Sequence, residues 1–419
     1  MVCFCGVSPN WQQATGRWKA RGQSSQDCQS DRRANQSPAC QGQVVKERIL
    51  IVAGEVSGDL HAAGLIAELK KTRPELEFFG IGGSQMQNQG VKILYHTDKM
   101  AFLGFWEVLR HLEFIRKVRR SLVKEIGRQP CRLAILVDYP GFNLRLAKDL
   151  KKRKIPVIYY ISPQVWAWGR KRIGKIKQLV EHMLVFFPFE ERLYSQNNVK
   201  VTWVGHPLVE LAKPNLTREE FYRSLNAPSE QKFIGLFPGS RPQEIKQHLP
   251  IMLNVGQILK KRKKELAFLI AAAPGINSEE IKTMLPPDLP VRLLSNRNYE
   301  IMTYSELLLV KSGTSTLEAA LCGTPFVVMY KTSPASYLIA KRLVKVPHLA
   351  MANLLAEKRV VPEFIQNQAH PQGIASEMLN LLDGHRRYQS IKMELGKIRN
   401  KLGSGNAYQK AARVVAEYL

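Results

Sequence analysis

The sequence is short of acidic residues and of long hydrophobic runs, and each shortage limits what the protein can be. It has 35 Asp and Glu against 62 Lys and Arg, which leaves a formal net charge of +27. Such an excess of cations indicates a polyanionic partner: nucleic acid, an anionic lipid surface or phosphorylated substrates. No apolar run approaches the roughly 18 residues that cross a bilayer, so we expect a soluble or peripheral protein.

Cysteine is scarce in the body of the chain, because most of the six cysteines lie within the first 46 residues. These are Cys3, Cys5, Cys28 and Cys40. Their spacing fits no zinc-binding template, and Cys131 and Cys322 lie in apolar, core-like contexts. A disulfide scaffold is therefore not expected, and the body of the protein is expected to be cytosolic.

The first 46 residues differ in composition from the rest of the chain. They are rich in Gln, Ser, Arg and Asn, poor in acids and without hydrophobic periodicity. This composition predicts a disordered or non-essential N-terminal extension, or a start site assigned too early. An organelle-targeting peptide is the alternative, since the segment is basic and contains serine.

Short apolar runs alternate with helical segments from residue 47 onward. Runs such as 133–137 (LAILV) and 307–310 (LLLV) have the length and composition of buried parallel strands. The pattern breaks at Gly205-His206-Pro207-Leu208 and then restarts. We therefore expect an α/β protein with two doubly wound Rossmann-like domains, 47–205 and 206–388, that face a central cleft and bind a ligand between them.

The loop after the first strand, AGEVSGD over 53–59, is a candidate substrate loop. It lacks the third glycine of the dinucleotide fingerprint, which disfavours a nicotinamide cofactor. Its glycines would keep the backbone close to a substrate, with Ser57, Asp59 and His61 as polar contacts. Helix capping by Ser57 or Asp59 is an equally good interpretation of each residue alone.

Asp138 follows the apolar run 133–137 directly. A carboxylate at the carboxyl end of a parallel strand lies at the crevice where such sheets bind ligands, which makes Asp138 a candidate general base. The alternative is an Asx-turn residue that begins the loop, as the following Pro140-Gly141 pair suggests.

Two segments combine aromatic residues with clustered cations. In 100–125, Phe102, Phe105 and Trp106 precede a run of basic turns, as an interfacial helix would have them. The alternative is a core-facing helix with a solvated basic face. In 162–170, Trp166 and Trp168 lie in a Pro- and Gly-containing loop, which indicates a ligand wall or a surface anchor. No nucleic-acid module matches the chain, so we prefer an anionic membrane surface to nucleic acid.

The second half contains two turns that could hold a diphosphate. The first turn comprises Gly239, Ser240 and Arg241, and the second comprises Ser312, Gly313 and Thr314. Each turn follows an apolar strand and opens a helix, whose N-terminal N–H groups favour anions. Arg241 adds a planar fork that suits phosphate, and Glu318 is placed to accept hydrogen bonds from a ribose diol. Together the turns predict a nucleotide-diphosphate pocket.

The order of several motifs resembles one family over residues 48 to nearly the C-terminus. The motifs are AGEVSGDLH, DYPGFN, SPQVWAWGRKRI, VGHPL, FPGSRPQEI, SGTSTLEAALCGTPFVVMYK and MANLLAEKRVVPEFIQ. The family is lipid-A-disaccharide synthase, whose members are inverting glycosyltransferases of the GT-B fold. The resemblance implies transfer of 2,3-diacylglucosamine from its UDP derivative to 2,3-diacylglucosamine 1-phosphate, which gives a β(1→6) disaccharide 1-phosphate and UDP. It also implies that a helix near 389–419 packs back on the first domain.

The resemblance assigns roles to single residues. It makes Asp138 the base and adds Asn353 and Gln366 to the UDP-sugar site. Many members carry a second acid three residues after the base, where this chain has Gly141, so Asp138 would act alone or with another partner such as His61. The chain has no Asp-x-Asp motif to bridge a metal to the diphosphate. We therefore expect neither a metal nor a cofactor.

The substrates implied by the resemblance also predict the location and the partners of the protein. Both are diacylated, so they would be drawn from a membrane, and we expect a cytoplasmic protein peripheral on the inner face of the inner membrane. Homodimer formation stays open. Other interpretations are a peptidoglycan-type glycosyltransferase, a UDP-sugar epimerase, or a non-catalytic lipid- or nucleotide-binding relative.

Overall fold

The computed structural model describes residues 47–100, 112–167, 169–273, 276–343 and 346–419. The predictions for residues 1–46 and for Phe102, Phe105, Trp106 and Trp168 lie outside the described residues. The described chain forms two parallel sheets covered by helices, which confirms the predicted α/β class.

The first half of the described chain contains a seven-stranded parallel sheet in the order β3-β2-β1-β4-β5-β6-β7. Its central strands are almost wholly buried and rich in Ile, Leu and Val, as strands covered on both faces must be. The strands are β1 (Arg48–Ala53), β2 (Glu77–Gly82), β3 (Lys92–His96), β4 (Leu133–Val137), β5 (Val157–Tyr160), β6 (His182–Val185) and β7 (Val201–Trp203).

The helices described in this half connect consecutive strands. They are α1 (Val56–Thr72), α2 (Ser84–Asn88), α3 (Leu112–Arg128), α4 (Pro140–Lys152), α5 (Arg172–Leu179) and α6 (Pro188–Ser195). In α3 the buried residues recur at helical spacing, with Ile115, Val118, Leu122 and Ile126 facing the core. For the described part of the segment 100–125, the alternative of a core-facing helix is therefore correct. The opposite face of α3 is basic and exposed.

The second half repeats the arrangement with a six-stranded parallel sheet in the order β10-β9-β8-β11-β12-β13. Its strands are β8 (Lys232–Phe237), β9 (Leu266–Ala272), β10 (Val291–Ser295), β11 (Leu307–Lys311), β12 (Phe326–Tyr330) and β13 (Glu363–Ile365). Its helices are α7 (Leu208–Leu211), α8 (Arg218–Ser224), α9 (Pro242–Arg262), α10 (Ser278–Lys282), α11 (Asn298–Tyr304), α12 (Ser315–Cys322), α13 (Pro334–Leu343), α14 (Met351–Ala356), α15 (Pro371–Asp383), α16 (His385–Lys401) and α17 (Ala407–Ala416).

The strand order reverses once in each sheet, and these two points position the candidate site. In the first sheet the chain runs outward from β1 to β3 and returns to place β4 beside β1. In the second sheet β11 returns beside β8 in the same way. Crevices open at the carboxyl ends of strands at such switch points, where doubly wound sheets bind their ligands.

The two halves touch through side chains that follow the first sheet. Trp166, in the loop after β5, packs against the core of the second half. Arg192 on α6 lies 3.8 Å from Glu357, which ends α14. The loops at the carboxyl edge of the first sheet therefore face the second half.

The C-terminal segment is two helices rather than the one expected near 389–419. Helix α16 packs on α12 and α15 of the second half, whereas α17 packs on α1 of the first half. Between them Gly403 has a φ of +103°, a conformation that favours glycine. The chain therefore returns from the second half to the first half between α16 and α17. This return lies beside the point where the chain first enters the second half, because the His206 N–H donates to the Leu402 carbonyl over 3.0 Å.

Within the described ranges, no helix is both long enough and apolar enough to cross a membrane.

Candidate functional site

Asp138 lies at the switch point of the first sheet in a strained backbone conformation. Its φ is +44° and that of Tyr139 is +45°, a region that non-glycine residues rarely adopt. The strain is held by hydrogen bonds, because the side chains of Asn143 and Tyr159 both donate to the Asp138 carbonyl. Strain of this kind concentrates at functional sites, where surrounding contacts fix a side chain in one direction.

The electrostatics at Asp138 suit a base. Burial, with a smaller contribution from the Glu55 carboxylate, raises the pKa of Asp138 to about 7, against a backbone hydrogen bond from Tyr139 that lowers it. Glu55 follows β1 and is the N-cap residue of α1, so the two acids belong to the neighbouring strands of the switch point. Glu55 is a residue that sequence reasoning missed, although it lies inside the motif AGEVSGD.

The loop after β1 is pressed against Tyr139. A Cβ built on Gly54 would lie 2.3 Å from the Tyr139 ring, so this position admits only glycine. The Tyr139 hydroxyl donates to the Met100 carbonyl over 3.1 Å, which fixes the ring. The predicted close approach of a glycine backbone is therefore present, but here its neighbour is a tyrosine.

The polar residues of α1 divide into different roles. Asp59 is buried, and its carboxylate accepts the N–H groups of Gly83, Gln85 and Met86 over 2.6 to 3.1 Å. These bonds satisfy the N-terminus of α2, so the structure favours the capping alternative for Asp59 over a substrate contact. Ser57 lies half-buried in the first turn of α1.

His61 faces the C-terminal segment. Its Nδ1 lies 3.0 Å from the Tyr408 hydroxyl, and its ring meets Phe186 edge-on at 5.1 Å. Burial lowers the pKa of His61 to about 4, so the imidazole is neutral at pH 7. A base with so low a pKa is weak, and the acid that perturbs Asp138 is Glu55. The geometry therefore favours Glu55 over His61 as the partner of Asp138.

Trp166 is held by a buried acid. Its Nε1 donates to Glu190 Oε1 over 3.2 Å, and Glu190 Oε2 accepts the Phe187 N–H over 3.3 Å. Burial raises the pKa of Glu190 to about 8, against hydrogen bonds from Phe187, Ser162 and Trp166. Fixed in this way between the two halves, Trp166 suits a wall of the cleft better than a surface anchor.

The Gly239–Arg241 turn lies at the switch point of the second sheet. Gly239 has a φ of +125°, and the Ser240 N–H donates to Glu244 Oε2 over 3.1 Å. Arg241 is the N-cap residue of α9, and its guanidinium lies 3.6 Å from Glu244 Oε1. Arg241 thus lies at the end of β8, as predicted, and its guanidinium interacts with the carboxylate of Glu244 on α9.

The neighbouring turn, Ser312–Thr314, follows β11 and opens α12. Ser312 is buried, and its N–H donates to the Met329 carbonyl over 2.9 Å. The Gly313 carbonyl accepts from Thr316 Oγ1 over 2.7 Å. Thr314 is the N-cap residue with helical backbone angles. The turn therefore presents the start of α12 beside the Gly239–Arg241 turn.

Glu318 is buried one turn inside α12. Its Oε1 accepts a hydrogen bond from the Tyr299 hydroxyl over 2.9 Å. Within the described part of the chain its Oε2 is buried with no hydrogen-bond partner. Burial raises the pKa of Glu318 to about 7, against the Tyr299 bond. A buried acceptor without a partner is costly, and a ligand hydroxyl would satisfy it.

Asn353, a predicted UDP-sugar contact, is engaged by the protein itself in this structure. It is fully buried, and its amide already makes all four of its hydrogen bonds. The NH₂ group donates to Val361 and Glu363, and the oxygen accepts the Val360 and Val361 N–H groups. Asn353 thereby ties α14 to the segment before β13, and direct contact with the UDP-sugar stays a prediction.

Gln366 also serves the protein's own backbone. Its amide pairs with the backbone of Thr332, accepting from the N–H over 3.0 Å and donating to the carbonyl over 3.1 Å. It thereby holds the loop after β12. No group of three or more His, Cys, Asp or Glu side chains that could hold a metal occurs among the described residues.

Comparisons with known proteins agree on one family. The family model described as lipid-A-disaccharide synthetase matches residues 49–417. The lipid-A-disaccharide synthase of Coxiella burnetii (strain Dugway 5J108-111) is 39% identical over 88% of this chain and 97% of its own length. That of Geobacter sulfurreducens is 40% identical over 89% of this chain and 97% of its own.

A solved structure supports the fold independently of close sequence similarity. The UDP-GlcNAc 2-epimerase from Neisseria meningitidis, bound to UDP-GlcNAc, superposes with a TM-score of 0.61. It covers 88% of this chain and all of its own at 15% identity, so the likeness concerns the fold alone.

Proposed function

The chain belongs to the lipid-A-disaccharide synthase family of glycosyltransferases, and on that premise we propose how its residues carry out sugar transfer. The donor is UDP-2,3-diacylglucosamine and the acceptor is 2,3-diacylglucosamine 1-phosphate. The products are the β(1→6) disaccharide 1-phosphate and UDP. Residues 47–205 serve the acceptor, and residues 206–388 bind the donor.

One observation carries this proposal: a strained acid and a cationic turn occupy the switch points of two sheets whose halves are in contact. Asp138 follows β4, and Arg241 follows β8. Loops at the carboxyl edge of the first sheet reach the second half through Trp166. A donor held at one switch point and an acceptor at the other would react in the cleft between them.

Asp138 is the general base in this proposal. The acceptor's primary hydroxyl is a poor nucleophile until its proton is removed. With its pKa raised to about 7, Asp138 is a stronger base than an ordinary carboxylate and is still about half ionised at neutral pH. The acceptor oxygen bonds to the anomeric carbon as the bond from that carbon to the UDP oxygen breaks, and the proton passes to Asp138. One displacement inverts the configuration.

The second half stabilises the leaving group and holds the nucleoside. UDP gains negative charge as the bond breaks, and Arg241 with the helix starts at α9 and α12 would oppose that charge most strongly in the transition state. The buried Oε2 of Glu318 would accept a ribose hydroxyl. Asn353 and Gln366 contribute indirectly, by fixing α14 and the loop after β12.

Diacylated substrates also require a route from a membrane. The exposed basic face of α3 would meet anionic lipid headgroups at the inner face of the inner membrane. The protein would then act as a peripheral enzyme that draws both substrates from the lipid surface.

The test is turnover by the purified protein with the UDP donor, with and without the monosaccharide 1-phosphate. We expect UDP release only when the diacylated acceptor is present, and a product whose mass is that of the disaccharide 1-phosphate. Donor conversion without acceptor would indicate an epimerase instead.

Asp138→Asn is the matched variant for the same assay. It should bind UDP as the wild type does, because the nucleotide pocket is unchanged. Loss of the base should lower turnover by about 10²- to 10⁴-fold. Turnover near that of the wild type would assign the base elsewhere.

A further inference from the structure

Lys311, the last residue of β11, lies between the two turns of the second switch point. Its Nζ is 2.8 Å from Glu244 Oε1, the oxygen that Arg241 also approaches. A Cβ built on Gly313 would lie 3.6 Å from the same Nζ. The ammonium of Lys311 is therefore beside the start of α12 and shares one carboxylate with the guanidinium of Arg241.

The Glu244 carboxylate takes the contacts that a phosphate group would take at this turn. Its Oε1 interacts with both cations, and its Oε2 accepts the Ser240 N–H. Two cations and a backbone N–H at a helix start form a typical donor set for phosphate oxygens. Although burial acts to raise it, Lys311, Ser240 and Arg241 together hold the pKa of Glu244 below its ordinary value.

We propose that Lys311 binds the diphosphate of the nucleotide sugar directly, next to Arg241, and that Glu244 holds both cations in position. This inference rests on the proposed function, since it concerns the same donor site. An ammonium has three N–H donors, so Lys311 can keep Glu244 and still donate to a phosphate oxygen. Its side chain is only 11% exposed, which strengthens its attraction to a diphosphate.

The experiment compares how UDP, UMP and uridine bind to the wild type and to two neutral variants by calorimetry. Lys311→Met keeps the length of the side chain, and Lys311→Gln keeps a hydrogen-bond donor for Glu244. We expect both to weaken UDP binding about 10- to 100-fold, the effect of one charged hydrogen bond. Uridine binding should not change, because uridine has no phosphate, and this also shows that the variants fold.

Lys282→Met is the matched control. Lys282 forms a pair with Glu279 of the same 2.8 Å length, on an exposed helix of the same half. Its loss should leave UDP affinity unchanged.

Two results would overturn the inference. One is UDP affinity equal to that of the wild type in both Lys311 variants. The other is a penalty that disappears in the Glu244→Gln background, because Lys311 would then act only through Glu244. A wild type that binds no UDP would instead refute the proposed function.

Discussion

At the scale of residues, the first switch point pairs two acids drawn from separate strands. Asp138 follows β4 and Glu55 follows β1, and their like charges disfavour simultaneous ionisation. This chain has Gly141 three residues after Asp138, where nothing lies within 4 Å of an added Cβ. We therefore propose that Glu55 supplies the second carboxylate that is missing at position 141.

Glu55→Gln should shift the acidic limb of the pH profile of kcat/KM to lower pH. The base works only when unprotonated, so the wild-type limb should have its midpoint near 7, the value to which the pKa of Asp138 is raised. Removing the neighbouring negative charge lowers that pKa, and we expect a shift of about one pH unit. Activity at pH 6 would thus rise relative to activity at pH 8.

Glu68→Gln is the control for this profile, since Glu68 lies on the same helix in an exposed pair with Lys71. An unmoved limb in Glu55→Gln would show that Glu55 does not set the ionisation of the base.

At the scale of elements, helix α6 fixes the loop that contacts the second half. Glu190 on α6 accepts from Trp166 and from the backbone of Phe187, so one buried acid joins two segments. The Trp166 ring also meets Phe189 edge-on at 5.3 Å. The orientation of Trp166 thus depends on α6 as much as on its own loop.

The Glu190→Gln variant should lose less stability than the wild type when the pH is raised from 5 to 8. The folded-state pKa of Glu190 is raised to about 8 from 4.5. The folded state therefore keeps a proton on Glu190 that the unfolded state releases. The contribution of Glu190 to stability is greatest below about pH 4.5 and is lost as the pH rises toward 8. The variant lacks this ionisation. Its free energy of unfolding should therefore rise, relative to that of the wild type, by up to about 3 kcal/mol between pH 5 and pH 8.

Urea unfolding at the two pH values measures this difference, and any constant cost of the substitution cancels. The exposed Glu181 provides the control variant Glu181→Gln. Equal changes in unfolding free energy for wild type and Glu190→Gln would mean that Glu190 is ionised in the folded protein.

At the scale of the whole molecule, the net charge of +27 is partly concentrated on one surface. The exposed face of α3 carries Arg116, Lys117, Arg120, Lys124 and Arg128. We call these five residues the basic face. Each cation near an anionic membrane adds roughly 1 kcal/mol, an attraction that salt screens.

Neutralising three residues of the basic face should release the protein from anionic vesicles. We expect the combined variant Arg120→Gln, Lys124→Gln, Arg128→Gln to partition on the order of 100-fold more weakly at low salt, measured by sedimentation. A matched triple on the exposed end of α9 and beyond it removes the same charge from the other half. It consists of Lys261→Gln, Arg262→Gln and Lys264→Gln.

Equal losses in the two triples would mean that vesicle binding follows net charge alone. No loss in the first triple would assign the contact elsewhere. Phe102, Phe105 and Trp106, which lie outside the described residues, would then be the next candidates.

The sequence by itself determined the fold class and the strand ends that carry chemistry. Buried parallel strands are continuous apolar runs, so 133–137 and 307–310 stand out without structural data. Because ligands bind at the carboxyl ends of such strands, Asp138 and Arg241 could be found from their positions alone. The domain boundaries at 47, 205 and 388 stay a prediction.

Only the tertiary structure decided which polar side chains face the site and which serve the backbone. Asn353, Gln366 and Asp59 resemble ligand contacts in sequence, yet their polar atoms are taken by N–H and carbonyl groups that no local pattern reveals. Glu55 and Lys311 gained importance only when strand order brought them beside Asp138 and Glu244. Hydrogen bonds and ion pairs are short-ranged, so they depend on which strands become neighbours, and that order is fixed by the packing of the whole chain.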